Sequence, residues 1–266
     1  MYNRFLYYKT TIIYGLKSQT VYRVSAWLNS SGNFFTFVIQ IFVWQALLGN
    51  GMRFDTSLQE MITYLLLTQI AKAFVSSFSG NTISRLVRNG DIAVYLVRPI
   101  KLKTHLLLDD IGRNMFQVLL VYLPICILLA LWYGFVWPAN PFVIILTLVM
   151  LINGMIMLFY YRYTLGLISF WLVSNPFTSW HFQNAESLFS GQIIPIWLCP
   201  AWLSSITQFL PFRYFTYEPL TIFIGKTPFE QSGRILIIQF IWLGMLFMLE
   251  RFVSSRAMHK LVSQGG

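Results

Sequence analysis

The 266 residues are 56% hydrophobic and only 11% charged, with a mean hydropathy of +0.61. A soluble domain carries about a quarter charged residues and alternates apolar with polar faces to meet water, so this composition excludes an ordinary water-soluble domain. The formal net charge of +10 is accounted for by the one-sided placement of basic residues on a membrane protein, without nucleic acid.

In chain order, residues 1–23 mix aromatic side chains with Lys9, Lys17 and Arg23. That mixture predicts an amphipathic helix on the cytoplasmic membrane surface, with a disordered tail as the alternative. Residues 24–48 are the first predicted span, interrupted by a polar patch at 29–33; Gly49, Asn50 and Gly51 make the outer turn. The second span covers residues 59–78. Residues 80–113 are the longest hydrophilic stretch and are expected in the cytoplasm. Within them, residues 83–88 are predicted to form a short basic helix ended by Asn89 and Gly90, followed by residues 91–98 and a stop at Pro99.

The third span is predicted at residues 114–133, and residues 138–141 form a tight outer turn. A fourth span over residues 142–173 is too long for a single crossing, and its inner end falls either near Arg162 or near Val173. Ser174, Asn175 and Pro176 make the inner turn. The fifth span, residues 179–197, carries His181, Gln183, Asn184, Glu186, Ser187, Ser190 and Gln192 and is the most polar. Pro195, Pro200, Pro211 and Pro219 then break residues 198–227 into short pieces, as helices dipping into the outer leaflet and returning require. Residues 235–249 are the last span, followed by a basic tail.

The fold class that follows is all-α: a polytopic bundle of six transmembrane helices in one domain, with an interfacial amino-terminal helix and re-entrant outer helices after the fifth span. A β-barrel would show period-two alternation over strands of about ten residues, which is absent. With both termini in the cytoplasm, inside segments hold Arg4, Lys9, Lys17, Arg23, Arg85, Arg88, Arg98, Lys101, Lys103, Arg113, Arg251, Arg256 and Lys260. Outside segments hold only Arg53, Arg213 and Lys226. This asymmetry fixes the orientation and predicts a multi-pass protein of the cell membrane in contact with the lipid bilayer. No secretory signal is expected, since the start is polar and the first long apolar run comes late.

Chemistry-bearing motifs are few. Cys126 and Cys199 make neither a disulfide framework nor a metal spacing, and the three histidines are dispersed, so no metal site is expected. Gly225, Lys226 and Thr227 resemble the end of a P-loop, but position 220, where the motif needs glycine, is Leu220. The chain is therefore expected to have no catalytic residues and no cofactor of its own. Polar residues inside a span are costly and mark candidate sites. Gln183, Asn184, Glu186, Ser190 and Gly191 are the candidate pathway residues, with structural hydrogen bonding as the equal alternative. Lys72 and Arg162 reach toward the inner interface, and either is placed to neutralise Glu186.

Three stretches, taken together, resemble the permease subunit of a type-2 ABC exporter, in the group similar to drug and viologen exporters. The first is Tyr22 and Arg23 at the entry to the opening span. The second runs from Gly90 and Asp91 through Ile92, Ala93, Val94, Tyr95, Leu96 and Val97 to Arg98 and Pro99. The third comprises Ser190-Gly191, Ile194-Pro195, Pro200, Leu210-Pro211-Phe212-Arg213-Tyr214 and Tyr217-Glu218-Pro219.

The resemblance implies a six-span permease that pairs with a second permease subunit, identical or homologous, and with two separate ATP-binding subunits, which take the ATP and Mg2+. It implies a coupling loop at residues 80–113 that docks onto the ATPase. Arg85, Leu86, Arg88, Gly90, Asp91, Leu96, Arg98 and Pro99 are its candidate residues, with Ile83, Leu86 and Val87 as an apolar anchor beside the two arginines. The alternative is a solvated basic loop. It further implies that Pro195, Pro200, Pro211, Phe212, Arg213, Glu218 and Pro219 build re-entrant pieces closing the pathway toward the outside. The function expected is export of a hydrophobic or amphipathic cargo (drug, lipid or peptide), as in drug resistance by efflux. The alternatives are a stand-alone secondary transporter, a membrane-embedded enzyme and an immunity protein.

Overall fold

The computed structural model describes residues 4–21, 23–49, 56–96, 101–172 and 180–265, and these segments are mostly helical, with no strand among them. Tyr22, Asn50, Gly51, Arg53, Arg98, Pro99, Ser174, Asn175 and Pro176 lie outside the described residues, as do the side chains of Arg23, Leu96 and His181. Helix α1 (Arg4–Val21) lies along α6, and α2 (Arg23–Gly49) packs against α3 (Leu58–Phe74). Helix α3 begins in a capping box. The Glu60 amide donates to the Ser57 hydroxyl (3.1 Å), and the Ser57 amide donates to the Glu60 carboxylate (3.0 Å).

After a break at residues 75–78 the chain continues as α4 (Ser79–Asn89) and α5 (Ile92–Leu96). Gly90, with φ of 76°, ends α4 in the left-handed conformation that glycine adopts without a Cβ penalty. Helix α6 (Leu102–Phe116) runs through a π-helical turn (Gln117–Tyr122) into α7 (Leu123–Tyr133). Pro124 explains the turn: its ring would clash with the carbonyl four residues back, and the widened turn lets the Leu123 amide bond Val118 instead. The helix is thus continuous from Leu102 to Tyr133 and begins twelve residues ahead of the expected position 114.

Helix α8 (Phe142–Leu167) ends in a single 3-10 turn (Ile168–Phe170), so this helix runs past Arg162 and stops at Phe170. Among the described residues, the stretch expected as a fifth span holds the helix α9 (Trp180–Phe189). Gly191, with φ of 72°, turns the chain out of α9, and Pro195 leads into a 3-10 turn (Ile196–Leu198). Short helices follow at α10 (Ala201–Thr207), a 3-10 turn (Pro211–Tyr214) and α11 (Tyr217–Phe223), before the long α12 (Ser232–Gly265).

Four of these helical stretches are long and apolar enough to cross a membrane: Leu58–Asn89, Leu102–Tyr133, Phe142–Phe170 and Phe229–Ala257. Their outward faces are apolar, with Leu131 79%, Trp132 83% and Met248 71% exposed. Such a surface is stable against lipid and not against water. The chain is therefore an all-α membrane helical bundle.

Three apolar clusters hold it together. The largest joins α3, α8, α11, the Pro211–Tyr214 turn and α12. A second joins α4, α6, α8 and α12 through Ile83, Leu86, Leu106, Phe159, Tyr163 and Ala257. A third joins α2, α3 and α7 around Phe37, Ile41 and Met61.

Glycines set the closest crossings: a Cβ at Gly154 would overlap the carbonyl oxygen of Phe215, where α8 meets the outer segment. Gly154→Leu is expected to cost about 1–3 kcal/mol, as overpacking in a filled core does. The measurement is the thermal midpoint in detergent micelles, with Gly244→Ala, which meets open space, as the near-neutral control.

Candidate functional site

Of the residues expected to form the coupling loop, Arg85, Leu86, Arg88, Gly90 and Asp91 are carried by α4 and the turn after it. Arg85 and Arg88 are exposed on α4, as is Asp91 just beyond Gly90. Ile83 and Leu86 point the other way and are buried against Phe159, Tyr163 and Leu167 of α8. The apolar anchor expected beside the arginines is thus occupied within the chain: Ile83 is fully buried and Leu86 is 7% exposed. What α4 presents outward is charge.

Its attachment is polar and specific. Helix α3 ends at Phe74, leaving carbonyls without intrahelical partners. The Asn114 side-chain amide donates to the Phe74 oxygen (2.9 Å) and the Ser76 oxygen (2.8 Å). One turn earlier on α6, Asp110 accepts from the Ser77 hydroxyl (2.7 Å) and from the Phe78 amide (3.1 Å), at the entry to α4. On the other side, Gly80 and Gly166 bring α4 and α8 into backbone contact, and the Ser169 hydroxyl donates to that of Ser84 at 2.7 Å. Helix α4 is therefore clamped between α6 and α8.

The candidate pathway residues sit on α9 and the turn after it. Glu186 is buried and paired: the Arg162 guanidinium of α8 donates to both carboxylate oxygens, at 2.8 and 2.9 Å. This fork geometry suits arginine, and Arg162 is the cation that neutralises Glu186, while Lys72 is exposed on α3. Gln183 and Asn184 are half-buried. Ser190 is buried and its carbonyl accepts from the Thr216 hydroxyl at 2.9 Å. The Gly191 carbonyl accepts from the Tyr64 hydroxyl at 2.8 Å, and a side chain at position 191 would meet the rings of Tyr217 and Tyr64.

The outer segment is joined to that turn. Phe212 stacks on Phe189 of α9 at 6.3 Å between ring centroids and meets Tyr161 edge-on at 5.2 Å. Arg213 pairs with Glu218 at 2.5 Å, both largely buried, and lies 5.0 Å over the Tyr217 ring. Pro195 and Pro211 are buried, Pro200 is exposed, and the Pro219 carbonyl accepts from Thr147 of α8. Gln239 of α12, fully buried, donates to the carbonyls of Tyr214 (2.7 Å) and Met150 (3.2 Å).

The described pathway and outer-segment candidates therefore form one contiguous unit, while Arg85, Leu86, Arg88, Gly90 and Asp91 lie on or just after α4, which packs against α6, α8 and α12. Sequence reasoning missed Asp110, Asn114, Tyr64, Thr216 and Gln239. The signal for the first two was a pair of polar residues four apart, hence on one helix face; for Gln239 it was a lone amide in an apolar span.

A family model described as ABC-2 family transporter protein matches residues 34–265. The chain belongs to the ABC-2 transporter family. No curated protein and no solved structure matches it. As an ABC-2 permease, the chain is the multi-pass membrane part of an ABC-type transporter, and permease domains of this family have no ATPase site of their own.

Glu186→Ala strands the Arg162 guanidinium in the interior and is expected to lower stability by about 3–5 kcal/mol. Arg162→Met with Glu186→Leu removes both charges and should restore most of the loss. Thermal unfolding of the three proteins in the same detergent checks the ordering.

Proposed function

We propose that this ABC-2 permease is the transmembrane subunit of an ATP-driven exporter, moving a hydrophobic or amphipathic cargo out of the cytoplasm. Two permease chains, identical or homologous, enclose the pathway, and two separate ATP-binding subunits take the ATP and Mg2+. Six crossings place both termini in the cytoplasm, with α9 and the broken pieces after it serving as the fifth crossing and its outer re-entrant return.

The observation that carries this reading is α4: a short helix with Arg85 and Arg88 outward and its opposite face packed into the inner ends of three long helices. A partner gripping those arginines pushes on α6 through Asp110 and Asn114, and on α8 through the Gly80–Gly166 contact. Closure of the ATP-binding subunits on ATP then biases the bundle between two arrangements, because the partner contacts α4 differently in each. Gly90, Asp91, Leu96, Arg98 and Pro99 complete the docking loop. Gln183, Asn184, Glu186, Ser190 and Gly191 edge the pathway, and residues 195–219 close it toward the outside. The low charge and aromatic richness of the helices support a cargo that itself partitions into hydrocarbon.

Arg85→Glu with Arg88→Glu is expected to weaken copurification with the ATP-binding subunit more than about tenfold, since juxtaposed like charges cost several kcal/mol. A double variant that copurifies fully and keeps cargo-stimulated ATP hydrolysis would overturn the coupling assignment.

A further inference from the structure

We propose that the outward face of α1 is a binding surface for anionic phospholipid headgroups. This inference concerns the membrane rather than cargo or motor, and does not depend on the transport reading. Helix α1 is held edgewise on α6. Thr11 and Gly15 are buried, and the Tyr7 hydroxyl and His105 Nδ1 share a hydrogen bond of 2.9 Å. A Cβ at Gly15 would lie 2.5 Å from the Asp109 carbonyl oxygen, and one at Gly112 would overlap the Ile12 carbonyl oxygen. Because α6 continues into the apolar stretch ending at Tyr133, this seat fixes α1 beside the end of a membrane crossing.

The face turned away from α6 then carries a particular mixture. Phe5, Leu6, Ile13 and Tyr14 are exposed, and so are Lys9 and Lys17. With about 100° per residue, the two lysines lie roughly 80° apart, with Leu6 and Ile13 between them. Residues 1–23 hold Arg4, Lys9, Lys17 and Arg23 and no acidic residue. The nearest acids on α6 are already engaged, Asp109 with Arg113 at 2.9 Å and Asp110 with Ser77 and Phe78. Apolar side chains flanked by ammonium groups suit the boundary between acyl chains and headgroups, and uncompensated positive charge selects anionic over zwitterionic lipid.

The test uses the full chain in neutral detergent, supplemented with phosphatidylglycerol or with phosphatidylcholine of the same acyl chains. Phosphatidylglycerol is expected to raise the thermal midpoint by several degrees and phosphatidylcholine not to, with the difference shrinking at high salt. Lys9→Gln with Lys17→Gln should lose more than half of that shift, while Lys9→Arg with Lys17→Arg should keep it. Arg251→Gln with Arg256→Gln, which removes exposed charge from α12 rather than α1, should also keep it. Equal shifts from the two lipids, or a full shift in the Lys9→Gln/Lys17→Gln protein, would overturn the proposal. So would loss of the shift in the Arg251→Gln/Arg256→Gln protein alone, which would move the lipid contact to α12.

Discussion

Inside hydrocarbon there is no water to satisfy a backbone amide or carbonyl, so any interruption of a helix must be closed by the protein itself. This bundle is interrupted repeatedly, and the same solution recurs. At residues 75–78, Asn114 and Asp110 take the carbonyls and the amide freed where α3 gives way to α4. After α9, Tyr64 and Thr216 donate to the carbonyls of Gly191 and Ser190, and Gln40 donates to that of Ile193. Where the 3-10 turn meets α11, Gln239 bonds the Tyr214 carbonyl. Polar residues that look misplaced in apolar helices are the partners of broken backbone elsewhere.

This constraint also divides the molecule mechanically. Near the outer segment, α8, α11, α12 and the Pro211–Tyr214 turn share one apolar cluster, tightened by the Gly154 crossing and the Arg213–Glu218 pair. At the opposite ends, α4, α6, α8 and α12 share another, and Lys103 of α6 reaches Glu250 of α12 at 2.8 Å between the rings of Tyr160 and Phe247. Helices α8 and α12 belong to both clusters. Helix α4 is thus packed on α6 and α8, and α3, α8 and α12 join that end to the pieces around Pro211–Tyr214. The Arg162–Glu186 pair is a direct polar tie from α8 to α9.

Much of the architecture was legible in the sequence, because hydropathy reports which segments can lie in lipid. The ends of the long crossings were less so. The inner part of α6 carries Lys103, His105, Asp109, Asp110 and Arg113, which reads as a solvated loop. It is helical because those groups bond α1, α12 and the break before α4 rather than water. The polar stretch around Glu186 reads as one span to residue 197, whereas its helix ends at Phe189 and Gly191 turns the chain away. For the candidate site, the outward arginines of α4 and its glycine cap follow from local pattern alone. The burial of Leu86 does not, since it depends on Phe159, Tyr163 and Leu167 arriving from α8. Long-range partners such as Tyr64 with Gly191 leave no trace at a sequence separation of 127 residues.

The central claim is that the charged face of α4 is where an ATP-binding subunit sits. It is tested most directly by site-directed cross-linking in membranes that contain both proteins. Cys126 and Cys199 would be replaced by alanine, and a single cysteine introduced as Arg88→Cys, with Trp132→Cys at the far end of α7 as the comparison. The account predicts a cross-linked pair of permease and ATP-binding subunit from position 88 that changes in yield with ATP, and none from position 132. A cross-link from position 132, or none from position 88 while the complex is intact, would contradict it.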